Sequence, residues 1–495
     1  MKKRVTVIGA GLGGMSAAIS LAKHPEFDVT LLEKNSHLGG KLNVLDQQGF
    51  SFDLGPSILT MPHLFERLFT LHNKAMKDYV KIVPVDPHWR NFFEDGTTID
   101  LNKDIDLMSK QSALSERDIE ELKNFLNYTK TLYEFSNNVY FDNQSERKLD
   151  TIKYYNPLKI IKDSDMFSTM DDGVRRHISN PYMVDILNFF IKYVGSSPYD
   201  APAILNLLPY IQWEFDLWYV DGGMFNLSKG LHKLLKELPV KIITNAEVKT
   251  VEKTTHEIQK IVLASGETLE TDIIVSNMEV IPFYEKISQE PTKKIEKYHK
   301  KYGPSCSGYA LHLGVNKTYP QLAHHNVFHA HSSKDHFDKI FHEKTLTNDP
   351  TIYLVAPMKT DPSQGPKDHE IIKILPHIPV LNDEHPVTEK DYKAYKDHVL
   401  DKLERMGLKD LRKHIVTEEI WTPEIIEANY YSNKGSIYGV VSDRKVNMGF
   451  KTPKRSEFYK NLYFVGGSVN PGGGMPMVVL SGQQVVEQIR KHYKL

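Results

Sequence analysis

The chain has 495 residues, enough to bury two or three compact units, and its charges nearly cancel, with 62 Lys plus Arg against 63 Asp plus Glu. Such a balance provides no global field to attract nucleic acid, so any basic patch is local. The single cysteine, Cys306, excludes an intrachain disulfide framework and a cysteine-based metal site, fits a reducing cytosol, and reads as a small buried hydrophobe rather than a reactive thiol.

The opening MKKRVTVIGAGLGG passes from a basic start through a short apolar run into a glycine loop with no cleavage-site pattern, so it reads as a first strand and not as a signal peptide. No uninterrupted apolar stretch approaches the roughly twenty residues needed to span a bilayer, and the expectation is a soluble or membrane-surface protein. Arg4 to Ile8 is rich in β-branched residues; Gly9-Ala10-Gly11-Leu12-Gly13-Gly14 follows, then Met15 to Lys23 with helical composition. In this strand, turn and helix, Gly9 permits the turn, Gly11 lets the backbone approach a pyrophosphate, and Gly14 allows close helix-to-strand packing, with Ala18 a further small residue. Phosphate charge is favoured at the helix N-terminus that results. A second strand, Val29 to Leu32, ends at Glu33, about twenty residues after the glycines, where an acid binds a ribose hydroxyl pair. A negative charge there disfavours a ribose 2'-phosphate, which leaves FAD or NAD. A glycine loop alone has a plain packing explanation, but the flanking strand, helix and acid together favour a dinucleotide.

The continuation Glu33-Lys34-Asn35-Ser36-His37-Leu38-Gly39-Gly40-Lys41 resembles the flavoprotein superfamily of amine oxidases and carotenoid desaturases, in which the acid is followed by Gly-Gly-Arg. Here the basic residue is Lys41, which keeps the charge and loses a bidentate fork. Phe52 to Pro62, containing Gly55-Pro56-Ser57, is similar to the family segment that passes near the flavin; alone, its Gly-Pro pair marks no more than a turn.

Residues 77 to 220 and 285 to 455 lack glycine fingerprints and are expected to form a mixed α+β substrate-binding domain. Met183, Ile186, Leu187, Phe190, Ile191 and Val194 recur at helical spacing, a pattern that suits a core-facing helix better than a lipid tunnel. Tyr210, Trp213, Phe215, Trp218 and Tyr219 are candidates to line a polyene tunnel, although cores use such rings more often. Val240 to Asn245, Ala246 to Val248, Lys249 to Lys253 and Ile258 to Leu263 read as a β-meander, with Asp272 to Ser276 a further strand. Lys293, Lys294, Lys297, Lys300 and Lys301 suit a solvated helix face, with weak attachment to anionic lipid as the alternative. His324, His325, His329 and His331 have no recognised ligand spacing, so no metal is expected.

Near the C-terminus, Asn461 to Val465 reads as a buried strand, followed by Gly466-Gly467 and by Asn470 to Met477, which runs into a helix through Ser481, Gly482 and Gln483. In the family resembled, this segment completes the FAD site with the helix N-terminus near the flavin ring. Many relatives have Gly-Asp where this chain has Gly466-Gly467, so that carboxylate contact does not carry over. The resemblance also implies a backbone contact from Val248 to adenine.

The likeness is closest to the diapocarotenoid oxidases, on Gly49 to Pro62, Ile191 to Pro202, Asn277 to Pro282, Gln321 to Asn326, His342 to Lys344 and Tyr438 to Asp443, and it runs over essentially the whole chain. What it implies is an α/β fold with a Rossmann-like FAD-binding domain assembled from residues 1–76, 221–284 and 456–495. The candidate cofactor-binding residues are Val7, Ile8, Gly9, Ala10, Gly11, Leu12, Gly13, Gly14, Glu33, Lys34, Gly40, Lys41, Gly55, Pro56, Ser57, Val248, Gly466, Gly467, Gly474, Met475 and Pro476. The implied reaction is oxidation of the terminal methyl of 4,4'-diaponeurosporene to the aldehyde, and onward to the acid, with O2 as electron acceptor or oxygen donor. The implied location is the cytoplasm, at the inner face of the cell membrane, where a long apolar carotenoid is drawn from lipid. No side chain announces itself as acid or base. A desaturase or isomerase of the same fold, and a non-catalytic isoprenoid carrier, are the alternatives.

Overall fold

A computed structural model describes residues 2–146, 150 and 164–495. Val5 and Val7 are buried on one face of the strand Lys3–Ile8 while Thr6 and Ile8 are buried on the other, as a central strand of a covered parallel sheet requires. This strand pairs in parallel with Phe27–Leu32 on one side and Ile273–Ser276 on the other. From edge to edge the five-stranded sheet runs Leu462–Phe464, Ile273–Ser276, Lys3–Ile8, Phe27–Leu32 and Val240–Ile243. One sheet is thus assembled from three distant stretches of chain.

One helix packs directly on this sheet. Leu12–Ala22 begins within the glycine loop, three residues before the predicted start, and packs against the C-terminal helix Met475–Tyr493. Small residues set the separation: a Cβ on Gly482 would stand 2.6 Å from the Gly13 carbonyl oxygen, and the Ser16 hydroxyl donates to the Val479 carbonyl at 2.6 Å.

Opposite lies a second, mainly antiparallel sheet. Its order is Ile415–Trp421, Ala310–Val315, Glu370–Ile378, Ile352–Val355, His325–Phe328, Trp89–Phe92 and Thr98–Leu101, with Ser307–Gly308 also paired to Glu370–Ile378. Among the described residues, only His325–Phe328 and Trp89–Phe92 pair in parallel within it. The expected α/β fold with a mixed second unit is borne out.

The expected meander divides. Val248–Lys253, Ile258–Leu263 and Thr268–Glu270 form a three-stranded antiparallel sheet, but Val240–Ile243 leaves it to extend the parallel sheet beside Phe27–Leu32. Its alternation of apolar residues suits either partner. The predicted helix with Met183, Ile186 and Leu187 is Pro181–Asn188, continued by a tighter turn over Phe189–Tyr193, and its apolar face is core.

Candidate functional site

The strand Lys3–Ile8 delivers the chain to the carboxyl edge of the parallel sheet, where open α/β sheets bind their ligands. Gly9 turns there with φ +89°, a conformation that a side chain would strain. Gly14 rests on the Gly9 carbonyl so closely that a Cβ would lie 1.9 Å from its oxygen. At the end of the second strand, buried Glu33 accepts the Ala10 N–H at 2.8 Å through Oε2 and the Asn35 N–H at 2.9 Å through Oε1. A carboxylate has about four acceptor sites, so Glu33 retains capacity for a hydroxyl pair while it holds the loop.

The second glycine pair folds back on the first. The Gly39 N–H donates to the Ala10 carbonyl at 2.9 Å, and Gly40 approaches Gly11 so closely that a Cβ would lie 3.1 Å from its Cα. Lys41 Nζ donates to the Ser436 and Ile437 carbonyls at 3.0 and 3.2 Å and lies 3.8 Å from Glu279. Burial lowers the Lys41 pKa, and Glu279 opposes the shift. Gly55 crosses the Lys41 carbonyl, where a Cβ would come within 1.8 Å of the oxygen.

That crossing is held from the second sheet. Lys373, in the middle of Glu370–Ile378, donates to the Asp53 carbonyl at 2.9 Å, to the Gly55 carbonyl, and to Ser57 Oγ at 3.1 Å. Burial pulls its ammonium down to about 8 against the opposing charge of Asp53. The Asp53 carboxylate in turn accepts the Met224 and Phe225 amides at 2.9 and 3.2 Å, at the start of the helix Phe225–Lys236. Sequence reasoning assigned no role to Lys373; its only signal was a lysine inside the apolar run EIIKILPHI.

These elements enclose a cavity of about 330 Å³. Of the predicted residues, Ile8, Gly9, Gly11, Leu12, Glu33, Lys34, Gly40, Lys41, Gly55, Pro56, Val248, Gly466, Gly467, Gly474 and Met475 line it. Others stand behind the wall. Val7 is sheet core, Ala10 anchors to Glu33, Gly14 packs on Gly9, and Ser57 meets Lys373. Gly13 faces Asn277, where a Cβ would come within 2.5 Å of Oδ1. A Cβ on Gly467 would stand 2.9 Å from the Tyr438 carbonyl oxygen, so a side chain there requires that backbone to shift. The chain then enters Met475–Tyr493 through Gly474 at φ +92°, and the unpaired amides of that helix start favour negative charge.

A second cavity, of about 220 Å³, shares Pro56, Tyr438, Gly473, Gly474 and Met475 with the first. Pro476 lines this one. Its wall is largely apolar, including Phe141, Val194, Leu205, Leu208, Ile211 and Phe450, and it also holds Lys192, Gln212, Tyr193 and Tyr353. Tyr210, Trp213, Phe215, Trp218 and Tyr219 do not line it. Trp213 and Tyr219 are core, and Trp218 pairs with Pro84 in a short two-stranded sheet. Cys306 is buried, which pushes its thiol pKa up. Among the described residues, no group of three or more His, Cys, Asp or Glu is arranged to hold a metal ion.

The sequence profile of the flavin-containing amine oxidoreductases matches residues 12–490. The chain is 56% identical over 488 residues to the 4,4'-diapolycopene oxygenase of Methylomonas sp., covering 98% of each. It is 50% identical over 490 residues to the 4,4'-diaponeurosporene oxygenase of Staphylococcus aureus (strain USA300), covering 99% of this chain and 98% of that one. Among solved structures, a putrescine oxidase with bound putrescine superposes with a TM-score of 0.68 at 13% identity over 99% of each chain. A conjugated-linoleic-acid-producing fatty acid isomerase from P. acnes does so with a TM-score of 0.63 at 14% identity over 98% of each. At those identities the likeness is one of fold.

Proposed function

Because the chain belongs to the flavin-containing amine oxidoreductase family, we propose that it binds FAD in the glycine-lined cavity and oxygenates the terminal methyl of a 4,4'-diaponeurosporene-type polyene to the aldehyde. The acid is a further oxidation level of the same carbon. The observation that carries this reading is the junction of two cavities: a largely apolar pocket meets the glycine cradle at Tyr438, Gly473, Gly474 and Met475. Near-full-length identity to two relatives named as oxygenases of such polyenes supports it.

The cradle fits a dinucleotide. Gly9, Gly11 and Gly40 leave no side chain in the way of a pyrophosphate, Glu33 has free acceptor capacity for ribose hydroxyls, and Val248, which lines the same cavity, would contact the adenine. The start of Met475–Tyr493 would favour negative charge on a bound flavin. Bound FAD supplies reversible two-electron chemistry and a way to react with O2, which no side chain offers.

The protein's own contribution is positioning. The walls formed by Val194, Leu205, Leu208 and Ile211 exclude water and hold an apolar chain end-on toward the shared residues. The overall change, R–CH3 + O2 → R–CHO + H2O, balances without an added reductant. We place the chain at the inner membrane surface, since its substrate dissolves in lipid; no described helix is long and apolar enough to cross a membrane. The lysine-rich helix Thr292–Lys301 is a weak candidate for that contact, because Lys294, Lys297 and Lys300 already pair with Glu290, Glu457 and Glu296.

The test is incubation of the FAD-loaded chain with 4,4'-diaponeurosporene in liposomes, with and without air. A red-shifted product that has gained one oxygen and lost two hydrogens, formed only in air, is expected. Loss of hydrogens without gain of oxygen would make the protein a desaturase, and no reaction with FAD bound would remove the substrate from this reading.

A further inference from the structure

We propose that Lys192 and Gln212 recognise the oxygen of a terminally hydroxylated polyene, so that the alcohol formed first is held for its second oxidation rather than released. The inference rests on the terminal-oxidation reading and extends it to the selection of the intermediate.

Both residues line the apolar cavity. Lys192 is 3% exposed, and among the described residues its amine finds neither a hydrogen-bond partner nor a carboxylate. It lies between two ring faces, 4.0 Å from the centroid of Trp89 and 3.5 Å from that of Tyr353. Gln212 is 0% exposed; its Oε1 accepts the Tyr193 hydroxyl at 2.7 Å, while its Nε2 has no acceptor among the described residues. The turn that carries Lys192 reaches the junction of the two cavities, since the Tyr193 carbonyl oxygen lies 3.7 Å from where a Cβ on Gly474 would stand.

Two buried nitrogens without acceptors cost the fold stability, and methionine or leucine would fill the same apolar space without that cost. A pure hydrocarbon leaves both nitrogens unsatisfied, whereas a hydroxyl oxygen on the polyene end satisfies them. Loss of hydration on burial holds the Lys192 pKa well below the usual lysine range. The two lone pairs of the alcohol oxygen accept one hydrogen bond from the Lys192 amine and one from the Gln212 amide. Stoichiometry gives retention a purpose: R–CH3 + O2 + 2e⁻ + 2H⁺ → R–CH2OH + H2O consumes the two electrons that R–CH2OH → R–CHO + 2e⁻ + 2H⁺ returns. The first turnover draws its two electrons from an external two-electron donor of the reduced-nicotinamide class; thereafter an enzyme that keeps its alcohol needs no outside reductant for the next turnover.

The test compares the FAD-loaded full chain with Lys192→Met and Gln212→Leu. Anaerobic binding of 4,4'-diaponeurosporene and of its terminal primary alcohol is followed in micelles by quenching of tryptophan fluorescence. The wild type is expected to bind the alcohol about tenfold more tightly than the hydrocarbon, about 1.4 kcal/mol. That ratio is expected to fall toward one in either variant, with a higher melting temperature and a larger share of alcohol among products formed in air. Equal affinities in the wild type, or an undiminished ratio in a folded variant, would overturn the proposal. The wild-type comparison decides the matter even if neither variant folds. Failure of the wild type to consume the hydrocarbon would count against terminal oxidation, whereas the binding ratio addresses retention alone.

Discussion

Glu33 does two jobs with one carboxylate: it ties the glycine loop to the end of the second strand, and it presents free lone pairs to the cavity. Glu33→Gln keeps the shape but turns one oxygen into a donor that faces a backbone N–H. The loss of one charge-assisted bond, roughly 1.5–3 kcal/mol, is expected to weaken FAD binding about tenfold to a hundredfold, as read by quenching of flavin fluorescence during titration. Lys373 ties the mixed sheet to the segment that crosses Lys41, through the Asp53 and Gly55 carbonyls. Lys373→Met leaves those acceptors unpaired and is expected to lower stability by about 1–3 kcal/mol, measured by denaturant unfolding of the FAD-free chain. Glu33 is legible from its spacing after the glycines. Lys373 is not, because its meaning depends on a segment more than three hundred positions away that only the folded chain brings near.

Between elements, the crossing of Leu12–Ala22 and Met475–Tyr493 has the least slack. Gly482→Ala places a methyl 2.6 Å from the Gly13 carbonyl oxygen and pushes apart the two helices that frame the cradle. A cost of about 1–3 kcal/mol is expected, with a lower melting temperature and faster loss of flavin on dilution. The strand, turn and helix of residues 3–22 were readable because the interactions that define them are local. The course of Val240–Ile243 was not, since an apolar alternation specifies a strand and leaves its neighbour open. The same limit applies to the rings near residue 215: composition marks them as apolar bulk, but topology sends Trp213 to the core and gives the pocket to Leu205, Leu208 and Ile211 instead.

At the scale of the molecule, the parallel sheet and the mixed sheet meet across two adjoining cavities, and peripheral contacts hold the supporting elements in register. One such contact centres on Glu290. Burial raises its pKa, but hydrogen bonds from Lys253, Lys294 and Tyr459 outweigh that and hold the carboxyl at about 2. A carboxyl harder to protonate in the folded chain than in the unfolded one stabilises the fold above its unfolded value, near 4.5, and loses that stabilisation as the pH falls toward 2. Glu290→Gln is therefore expected to lower stability at neutral pH by roughly 1–2 kcal/mol, allowing for water around the two lysines, with the difference from wild type closing across that window in thermal melts. The discontinuous assembly of the parallel sheet could be anticipated, because each of its three stretches carries its own glycine or strand signal. The junction of the cavities could not, since Tyr438 and Gly474 show no common pattern in the chain. The most direct test of what that junction does is to incubate the FAD-loaded chain with 4,4'-diaponeurosporene under isotopically heavy O2 in ordinary water, reduce the aldehyde at once with borohydride, and determine the mass of the alcohol. One heavy oxygen at the terminal carbon is the predicted result; a product that has lost hydrogens and gained no oxygen, or that carries only oxygen from water, would contradict the account.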